Sequence, residues 1–304
     1  MTAADWLAER FEAERPHLRA VAYRTLGSVT EAEDAVQDAW LRLSRTDTSD
    51  VENLGGWLTT VVARLCLDML RSRNARREEP MGVHVPDPVV SAVDGSDPEH
   101  EAVLADSVGL AMLVVLETLT PAERLAFVLH DTFGIPFEEI GPIVERSTEA
   151  ARQLASRARR RVRGAPTASD VSLARQREVV DAFLAAARAG DFEALLRVLD
   201  PDAVVRGDAG ALGSATREVH GAAAVAEQAL SFRALAGGAR RAIVNGCAGL
   251  VVFTGKRLFA VLGFTIRGDR IAEIDILVDP ERLARLDISA LGPSRRRGSS
   301  QMVG

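Results

Sequence analysis

Residues 120–163 read TPAERLAFVLHDTFGIPFEEIGPIVERSTEAARQLASRARRRVR, and this stretch decides the fold. Thr120-Pro121-Ala122-Glu123 starts a helix, with Thr as N-cap, Pro at the first helical position and Glu closing a capping box. The spacing carries that helix to about Thr132, where Gly134 ends it. Pro136 to Val144 predicts a short helix, Glu145-Arg146-Ser147 a tight turn, and Thr148 to Arg163 a longer helix capped by Ser147. In the last helix Ala151, Leu154, Ala155, Ala158 and Val162 share one stripe, while Glu149, Arg152, Gln153, Ser156, Arg157, Arg160 and Arg163 occupy the other faces. From Arg146 to Arg163 there are seven arginines and one acid, a local charge of +6. Helix, tight turn and basic helix make a helix-turn-helix pattern. A recognition helix needs side chains that reach base edges near its N-terminus and phosphates along its length. Arg152 and Gln153 are placed for bases, the later arginines for phosphates. A solvated basic helix would carry the same arginines, but it has no need of the capped helix and short turn before it.

Upstream, EAEDAVQDAWLRL (31–43) repeats apolar residues at Ala32, Ala35, Val36, Ala39, Trp40 and Leu43, which is helical spacing over three turns. Its opposite face carries Asp34, Gln37, Asp38 and Arg42. Such a face ordinarily meets solvent; docking on a basic protein surface is the other use. A second helix is expected from about Gly56 to Arg71, with Leu58, Val61, Val62, Leu65 and Met69 on its apolar side and Thr60, Arg64, Asp68 and Arg71 on its polar side. It runs into RSRNARR (71–77), four arginines without an acid. Asn53-Leu54-Gly55-Gly56 before it reads as a flexible loop. Trp57 by itself reads as a packing residue.

The composition then inverts. Between Glu78 and Ser107 there are eight acids and no Lys or Arg, with Pro80, Pro86, Pro88 and Pro98 among them. Proline blocks regular structure and uniform charge keeps a chain solvated, so this reads as a linker. After about Ser172 the texture becomes α+β. Helices are expected at about 173–189 and 191–199. Strands are expected at 203–206, 241–245, 249–253, 257–266 and 270–277, the last two joined by the hairpin signal Arg267-Gly268-Asp269. In the last strand Ala272, Ile274 and Ile276 point one way and Glu273 and Asp275 the other. A short helix, Pro280 to Leu286, and a polar tail follow. The domains therefore read 1–77, a linker at 78–99, 100–164, 172–288 and a flexible tail at 289–304.

The whole-chain numbers bound what this organisation can do. With 304 residues, 47% apolar and 26% charged, the composition is globular and the length suits more than one domain. Nothing resembles an 18-residue apolar span, so no membrane partner is expected. MTAADWLAERFEAERP lacks the apolar core of a signal peptide. Two cysteines, Cys66 and Cys247, are too few for a disulfide framework or a cysteine-rich metal site, and they point to a reducing cytoplasm. No metal or cofactor is expected. Lys256 is the only lysine, so 36 of 37 basic residues are arginine. A GC-rich genome explains that total, but not its placement in two segments. In the C-terminal part His220, Asp208 and Asp275 are the polar residues available for acid–base work, yet no spaced catalytic motif joins them and His220 sits at a helix start, where structural roles are common. Cys247 lies in a small-residue turn without a nearby His, which disfavours a reactive thiol.

Taken in order, EAEDAVQDAWLRL, GGWLTTVVARLCLDMLRSRNARRE and LTPAERLAFVLHDTFGIPFEEIGPIVERSTEAARQLASRARRR resemble the extracytoplasmic-function (ECF) sigma factors of bacteria. The resemblance covers about 10–77 as sigma domain two, a helical bundle, and about 100–163 as sigma domain four, the helix-turn-helix, with the acidic linker between. The remainder resembles the SigJ-like subgroup, which adds a cone-shaped α+β SnoaL-like (NTF2-like) extension. VVRGDAGALGSATREVHGAAAV (204–225), VNGCAGLVV (244–252) and DPERLARL (279–286) carry that part. Where the subgroup has Asn-Pro-Asp-Lys-Leu, this chain has Asp279-Pro280-Glu281-Arg282-Leu283. For the linker's Trp-Leu-Pro-Glu-Pro it has His84-Val85-Pro86-Asp87-Pro88, and for Asp-Gly-Gly-Gly-Lys it has Gly207-Asp208-Ala209-Gly210-Ala211.

The resemblance implies roles. Asp34, Gln37, Asp38 and Arg42 match the helix that binds the β′ clamp helices of RNA polymerase, and domain four implies the β flap as a second contact. Asn53 to Gly56 match the loop that captures a flipped base of the −10 promoter element, at a cost of a few kcal/mol that pocket contacts must offset. Trp57, Arg64, Asp68 and Arg71 lie on the matching recognition and melting helix. Arg152, Gln153, Ser156, Arg157 and Arg160 match the helix that reads the −35 element. No catalysis is implied. The extension is implied to stand in for a separate anti-sigma factor, touching domain two and the linker through residues 279–283. Its fold includes enzymes, binding modules and structural domains, so fold alone does not choose among them, and room for an unidentified small ligand remains. Two other functions compete: a ligand-responsive helix-turn-helix regulator independent of polymerase, which would bind duplex tightly alone, and a SnoaL-like enzyme, whose turnover His220→Ala would abolish. Neither has a use for the polar face at 31–43.

Overall fold

The computed structural model describes residues 3–46, 51–76, 84–93, 109–163, 169–210 and 217–291. Three helices open the chain: α1 (Ala3–Leu26), α2 (Val29–Leu43) and α3 (Leu54–Arg76). The stripe of α2 is buried as its spacing dictates, at Ala32, Ala35, Val36, Ala39 and Leu43. Mostly alanine, it lets α1 and α3 approach closely, and Phe11 meets Trp40 with ring centroids 5.1 Å apart. α3 is longer than the spacing suggested, because Asn53 caps it by accepting from the Gly56 N–H at 3.0 Å. Leu54, Gly55 and Gly56 are therefore its first turn, not a flexible loop.

The second helical unit is α4 (Leu110–Glu117), α5 (Pro121–Phe127) with a π turn at Val128–Thr132, α6 (Phe137–Ile143) and α7 (Thr148–Arg163). The expected capping box at Thr120 and Glu123 closes, and Gly134 ends the segment at φ +68°. Between α6 and α7 the turn is tight. Glu145 takes φ +58°, and a β-carbon on Gly141 would lie 2.9 Å from the Arg146 carbonyl oxygen. Ser147 caps α7 through its hydroxyl, which accepts from Ala150 N–H at 3.2 Å. Residues 100–108, read as the start of this unit, lie outside the described residues.

The α+β unit holds α8 (Leu173–Ala189), α9 (Phe192–Val198) and α10 (Ala222–Ser231) against a sheet. Its strands are β1 (Val90–Ser91), β2 (Leu199–Asp208), β3 (Arg217–His220), β4 (Ala239–Val244), β5 (Cys247–Thr254), β6 (Arg257–Arg267) and β7 (Arg270–Leu277). Among the described residues the order is β1-β4-β5-β6-β7-β2-β3, antiparallel except where β2 runs parallel to β7. A short helix α11 (Pro280–Leu283) follows, its N-cap Asp279 accepting from Glu281 and Arg282 N–H groups. Of the tail expected at 289–304, Ser289–Leu291 forms a 3₁₀ turn and the rest lies outside the described residues.

The sheet has two apolar faces. One packs on its own helices through Leu250, Val252, Ala260 and Ile274. The other, through Val244, Val251, Val261 and Leu277, belongs to the same buried cluster as Leu26, Leu58, Leu113 and Leu125 of the helical units. The linker joins them. The expectation of a solvated linker without regular structure is corrected for residues 84–93, where Val85, Val90 and Ser91 are buried and β1 pairs with β4 through Val90↔Val244 and Ser91↔Ile243. Proline does not prevent this, because β1 lies at the sheet edge and begins after Pro88. No described helix is long and apolar enough to cross a membrane.

Candidate polymerase and nucleic-acid interface

On α7 the buried stripe is Ala151, Ala155, Ala158 and Val162, with Leu154 half-buried. Arg152, Gln153, Ser156, Arg157 and Arg160 are exposed together on the outward side. Several of this helix's arginines are paired with carboxylates, Arg152 with Glu149 of the same helix and the others with groups on α5 and the π turn. Arg152 lies 2.8 Å from Glu149 and over the Phe137 ring at 5.4 Å. Arg161 reaches the buried Glu123 at 3.2 Å, Arg157 the same group at 3.8 Å, and Arg159 meets Asp131 at 2.5 Å. Small residues beneath and fixed carboxylates at the edge leave a firm, positive outer face able to meet phosphates and base edges.

Asp34, Gln37, Asp38 and Arg42 form one exposed face of α2. Asp38 and Arg42 also line an open groove with Leu41, Trp57 and Val61. Trp57, assigned with the DNA-facing set, thus borders the polar face of α2. On α3, Arg64, Asp68 and Arg71 are exposed. Arg71 lies 3.8 Å from Asp68 and 3.6 Å from Glu145, in the turn of the second unit.

That last contact belongs to a broader seam. The Phe133 ring meets His17 edge-on at 5.3 Å and lies beneath the Arg24 guanidinium at 4.8 Å. The buried Arg124 donates to Glu117 at 2.6 Å, and Arg73 on α3 sits 3.7 Å from Glu117, pairs with Glu31 and donates to Leu26 O at 3.2 Å. Burial pushes the Glu117 carboxyl up, but the charges of Arg124, His84 and Arg73 outweigh it and hold the group below its usual range. Gly27 lies at this junction with φ +71°, and a β-carbon there would meet Arg124 and Glu117 at 3.1 Å and Pro86 at 3.3 Å. Only glycine fits.

The terminal motif meets the linker. Arg282 donates through Nε to Asp87 at 2.7 Å, through Nη1 to Asp208 at 2.8 Å and through Nη2 to Val85 O at 2.6 Å. Asp208 also accepts from Val85 N–H at 3.0 Å and lies 3.2 Å from His84 Nδ1. Burial opposes ionisation of Asp208, but His84, two backbone N–H groups and Arg282 prevail and bring it down to about 2. Leu283 is buried, Asp279 caps α11, and Pro280 and Glu281 make its first turn.

Sequence reasoning missed the other half of this clamp. Asn245 is fully buried and bonds Val89 on both sides, its N–H to Val89 O at 2.9 Å and its Oδ1 from Val89 N–H at 3.0 Å. Its Nδ2 donates to the Tyr23 hydroxyl at 2.9 Å, which donates to Asp87 O at 2.7 Å. Tyr23 is the chain's only tyrosine, and it ties α1 to the linker and the linker to the sheet. The dipeptide Asn245-Gly246, with φ +48° and +75°, is a two-residue hairpin signal that could have flagged the turn.

The residues considered for acid–base work are not brought together. His220 is exposed beside Glu218 at 3.2 Å, and Asp208 is held by Arg282 in the clamp. Asp275 is buried on the sheet's outer side with Glu273, Arg206 lying 3.4 Å and 3.0 Å from them. For the Cys247 thiol, burial pushes the pKa up, more than Ser169 offsets.

Comparison with known proteins agrees with this geometry. The family models for Sigma-70 region 2 and Sigma-70 region 4 match residues 10–76 and 110–162. The ECF RNA polymerase sigma factor SigJ of Mycobacterium tuberculosis is 41% identical over 287 residues, 90% of this chain and 91% of the relative. The probable ECF RNA polymerase sigma factor SigI of the same species is 37% identical over 93% of this chain and 97% of its own. The crystal structure of M. tuberculosis SigJ superposes with a TM-score of 0.74 and 36% identity, covering 92% of this chain and 99% of that one.

Proposed function

The chain belongs to the extracytoplasmic-function RNA polymerase sigma factors, and from that premise we propose that its C-terminal domain holds it closed until polymerase or a signal opens it. As a member of that family it binds core RNA polymerase and directs promoter-specific initiation. Its work is transcription regulation in the cytoplasm, without catalysis of its own. In this reading Asp34, Gln37, Asp38 and Arg42 meet the β′ clamp helices, and the second helical unit meets the β flap. Asn53, Trp57, Arg64, Asp68 and Arg71 act at the −10 element, and Arg152, Gln153, Ser156, Arg157 and Arg160 at the −35 element. The division of the chain at 1–77, 78–99, 100–164 and 172–288 follows the same roles.

The observation that carries the closed reading is the linker. Residues 84–93 join the two DNA-reading units, yet they are an edge strand of the C-terminal sheet, gripped by Arg282 and Asn245. Elements named −10 and −35 are about 25 base pairs apart, on the order of 85 Å of duplex. Here Arg71, assigned to the first, is 3.6 Å from Glu145, beside the helix assigned to the second. One duplex cannot meet both units in this arrangement, so they must separate.

Run-off transcription with purified core polymerase tests this. The full chain, a chain ending after Arg163, a chain ending before Asp279, and the gentler Arg282→Ala and Asp87→Asn variants are compared. We expect promoter-specific transcripts from the full chain and more from Arg282→Ala and Asp87→Asn. No specific initiation by any form would overturn the function, and unchanged output from both point variants would overturn the regulatory contact.

A further inference from the structure

The outer side of the sheet is apolar where β4, β5 and β6 meet the helical units and turns polar toward β7, β2 and β3. Glu273 and Asp275 stand two residues apart on one face of β7, roughly 7 Å from each other, and each is 2% exposed. Arg206 is the cation they share, 3.0 Å from Glu273 and 3.4 Å from Asp275, and it also reaches Glu218 at 3.5 Å. The Glu273 Oε2 atom is buried and accepts no hydrogen bond among the described residues. One guanidinium thus faces two buried carboxyls and a third at the rim. α4 closes over this place. Gly263 pairs with Asp275 across the β6–β7 ladder, and its missing side chain admits Leu110, whose Cδ2 would lie 2.9 Å from a β-carbon there. The gap left beside Asp275 measures about 10 Å³, room for one water at most and none for a hydrated counter-ion. From this arrangement we infer that closing the sheet onto α4 traps one proton on the Glu273–Asp275 pair, so that acid favours the closed form and a rise in pH releases it.

Among the described residues no other group in reach supplies the missing positive charge. α4 carries nothing titratable from Gly109 to Leu116, and its Glu117 is held by Arg124 and Arg73. β6 offers Thr265, opposite Glu273. Ser169 and the Cys247 thiol, which border the gap, are neutral. On β2 the next residue of this face, Asp208, is itself an acid and engages both His84 and Arg282. On β3, His220 is exposed and sits beside Glu218. Two like charges in a dry place do not both ionise at neutral pH, so the pair keeps a proton and titrates as a unit. Burial, which outweighs Arg206, raises Asp275 to about 7, and Glu273 adds to the rise. When the seam opens, water reaches the pair and its carboxyls return toward ordinary values near about 4. A closed-form pKa above the open-form value means that this contribution to closure is full below about pH 4 and is lost as pH rises through about 7. The step is a simple dissociation: an O–H bond breaks, the electron pair stays on the carboxylate, and solvent takes the proton. The link to opening rests on the closed reading above, whereas the trapped proton does not.

Infrared spectra and core-polymerase affinity of the full chain, followed from about pH 6 to about pH 8, test the inference. Asp275→Asn serves as the uncharged isostere of the protonated form. The spectrum of the unmodified chain minus that of Asp275→Asn should show a protonated-carboxyl band at the acid end that fades at the alkaline end. Affinity of the unmodified chain, taken relative to Asp275→Asn, should rise about tenfold across the same range, the amount expected of one proton titrating near 7. Taking the ratio cancels titration of the polymerase itself. Glu273→Gln removes the like charge and should move the midpoint to lower pH. An absent band, or a midpoint that Glu273→Gln leaves in place, would overturn the trapped proton. A band with a flat affinity ratio would overturn its link to opening, and the closed reading would fall separately if Arg282→Ala left affinity unchanged.

Discussion

Asp275 has most to lose from ionising. Burial raises its carboxyl to about 7 from an ordinary 3.8, with Glu273 adding to the rise and Arg206 opposing it. A folded-state pKa above the unfolded value means that the fold favours the protonated form. Its contribution to stability is full below about pH 4 and is lost as pH rises through about 7. Urea denaturation from pH 4 to 8 should show this decline, and Asp275→Asn should remove it. A decline of unchanged size in the variant would assign it to other groups. The pair Arg124–Glu117 makes the opposite kind of site. Arg124 is 2% exposed, so Glu117→Ala strands a buried charge and should cost about 3–5 kcal/mol, while joint replacement by Leu and Met should cost far less. Thermal melts of the two variants distinguish the cases. None of these roles was legible in the sequence. Arg73, Glu117 and Arg124 look like ordinary surface charges on their own helices, and only the packing of one unit on another makes them a network. Asp208 reads in the sequence only as one of three polar residues without a catalytic motif, and nothing local announces its pairing with Arg282.

At the scale of the element, α7 was the most legible. Its cap, stripe and exposed face all follow from one helical period, which local sequence determines. Its assigned residues divide into two kinds. Arg152→Ala should lower affinity by about 1–3 kcal/mol for the matched −35 sequence and relax preference there, whereas Arg160→Ala should weaken all sequences alike and reduce the salt slope by about one. Fluorescence anisotropy of holoenzyme on matched and scrambled duplexes, across salt, separates them. Identical behaviour of the two variants would contradict the assignment. β1 was not legible at all. It is two residues long and exists because β4, some 150 residues later, supplies the partner edge. β2 is longer than its apolar run because the parallel pairing with β7 extends to Asp208, and β3 carries no run of apolar residues that would announce it. The cap on α3 was hidden because Asn53 before two glycines reads equally as a loop.

For the whole molecule, the order of units and the class of each were written in composition: basic helices, acidic linker, then alternating strands. What composition could not convey is that the units share one buried cluster, running from Leu26 and Leu58 through Leu125 to Val261 and Leu277. Exposed pairs such as Arg71–Glu145 contribute little to that closure; the apolar seam and the linker strand supply most of it. We propose that this closed form opens when the sigma factor works. Spin labels at Glu9→Cys and Arg163→Cys in a Cys247→Ser background place one probe on each DNA-reading unit, and pulsed electron double resonance reads the distance. We expect one short, narrow distribution in the free chain and a shift of tens of ångströms, toward the scale of about 25 base pairs, in complex with core polymerase and promoter DNA. The same short distance in both states would contradict it.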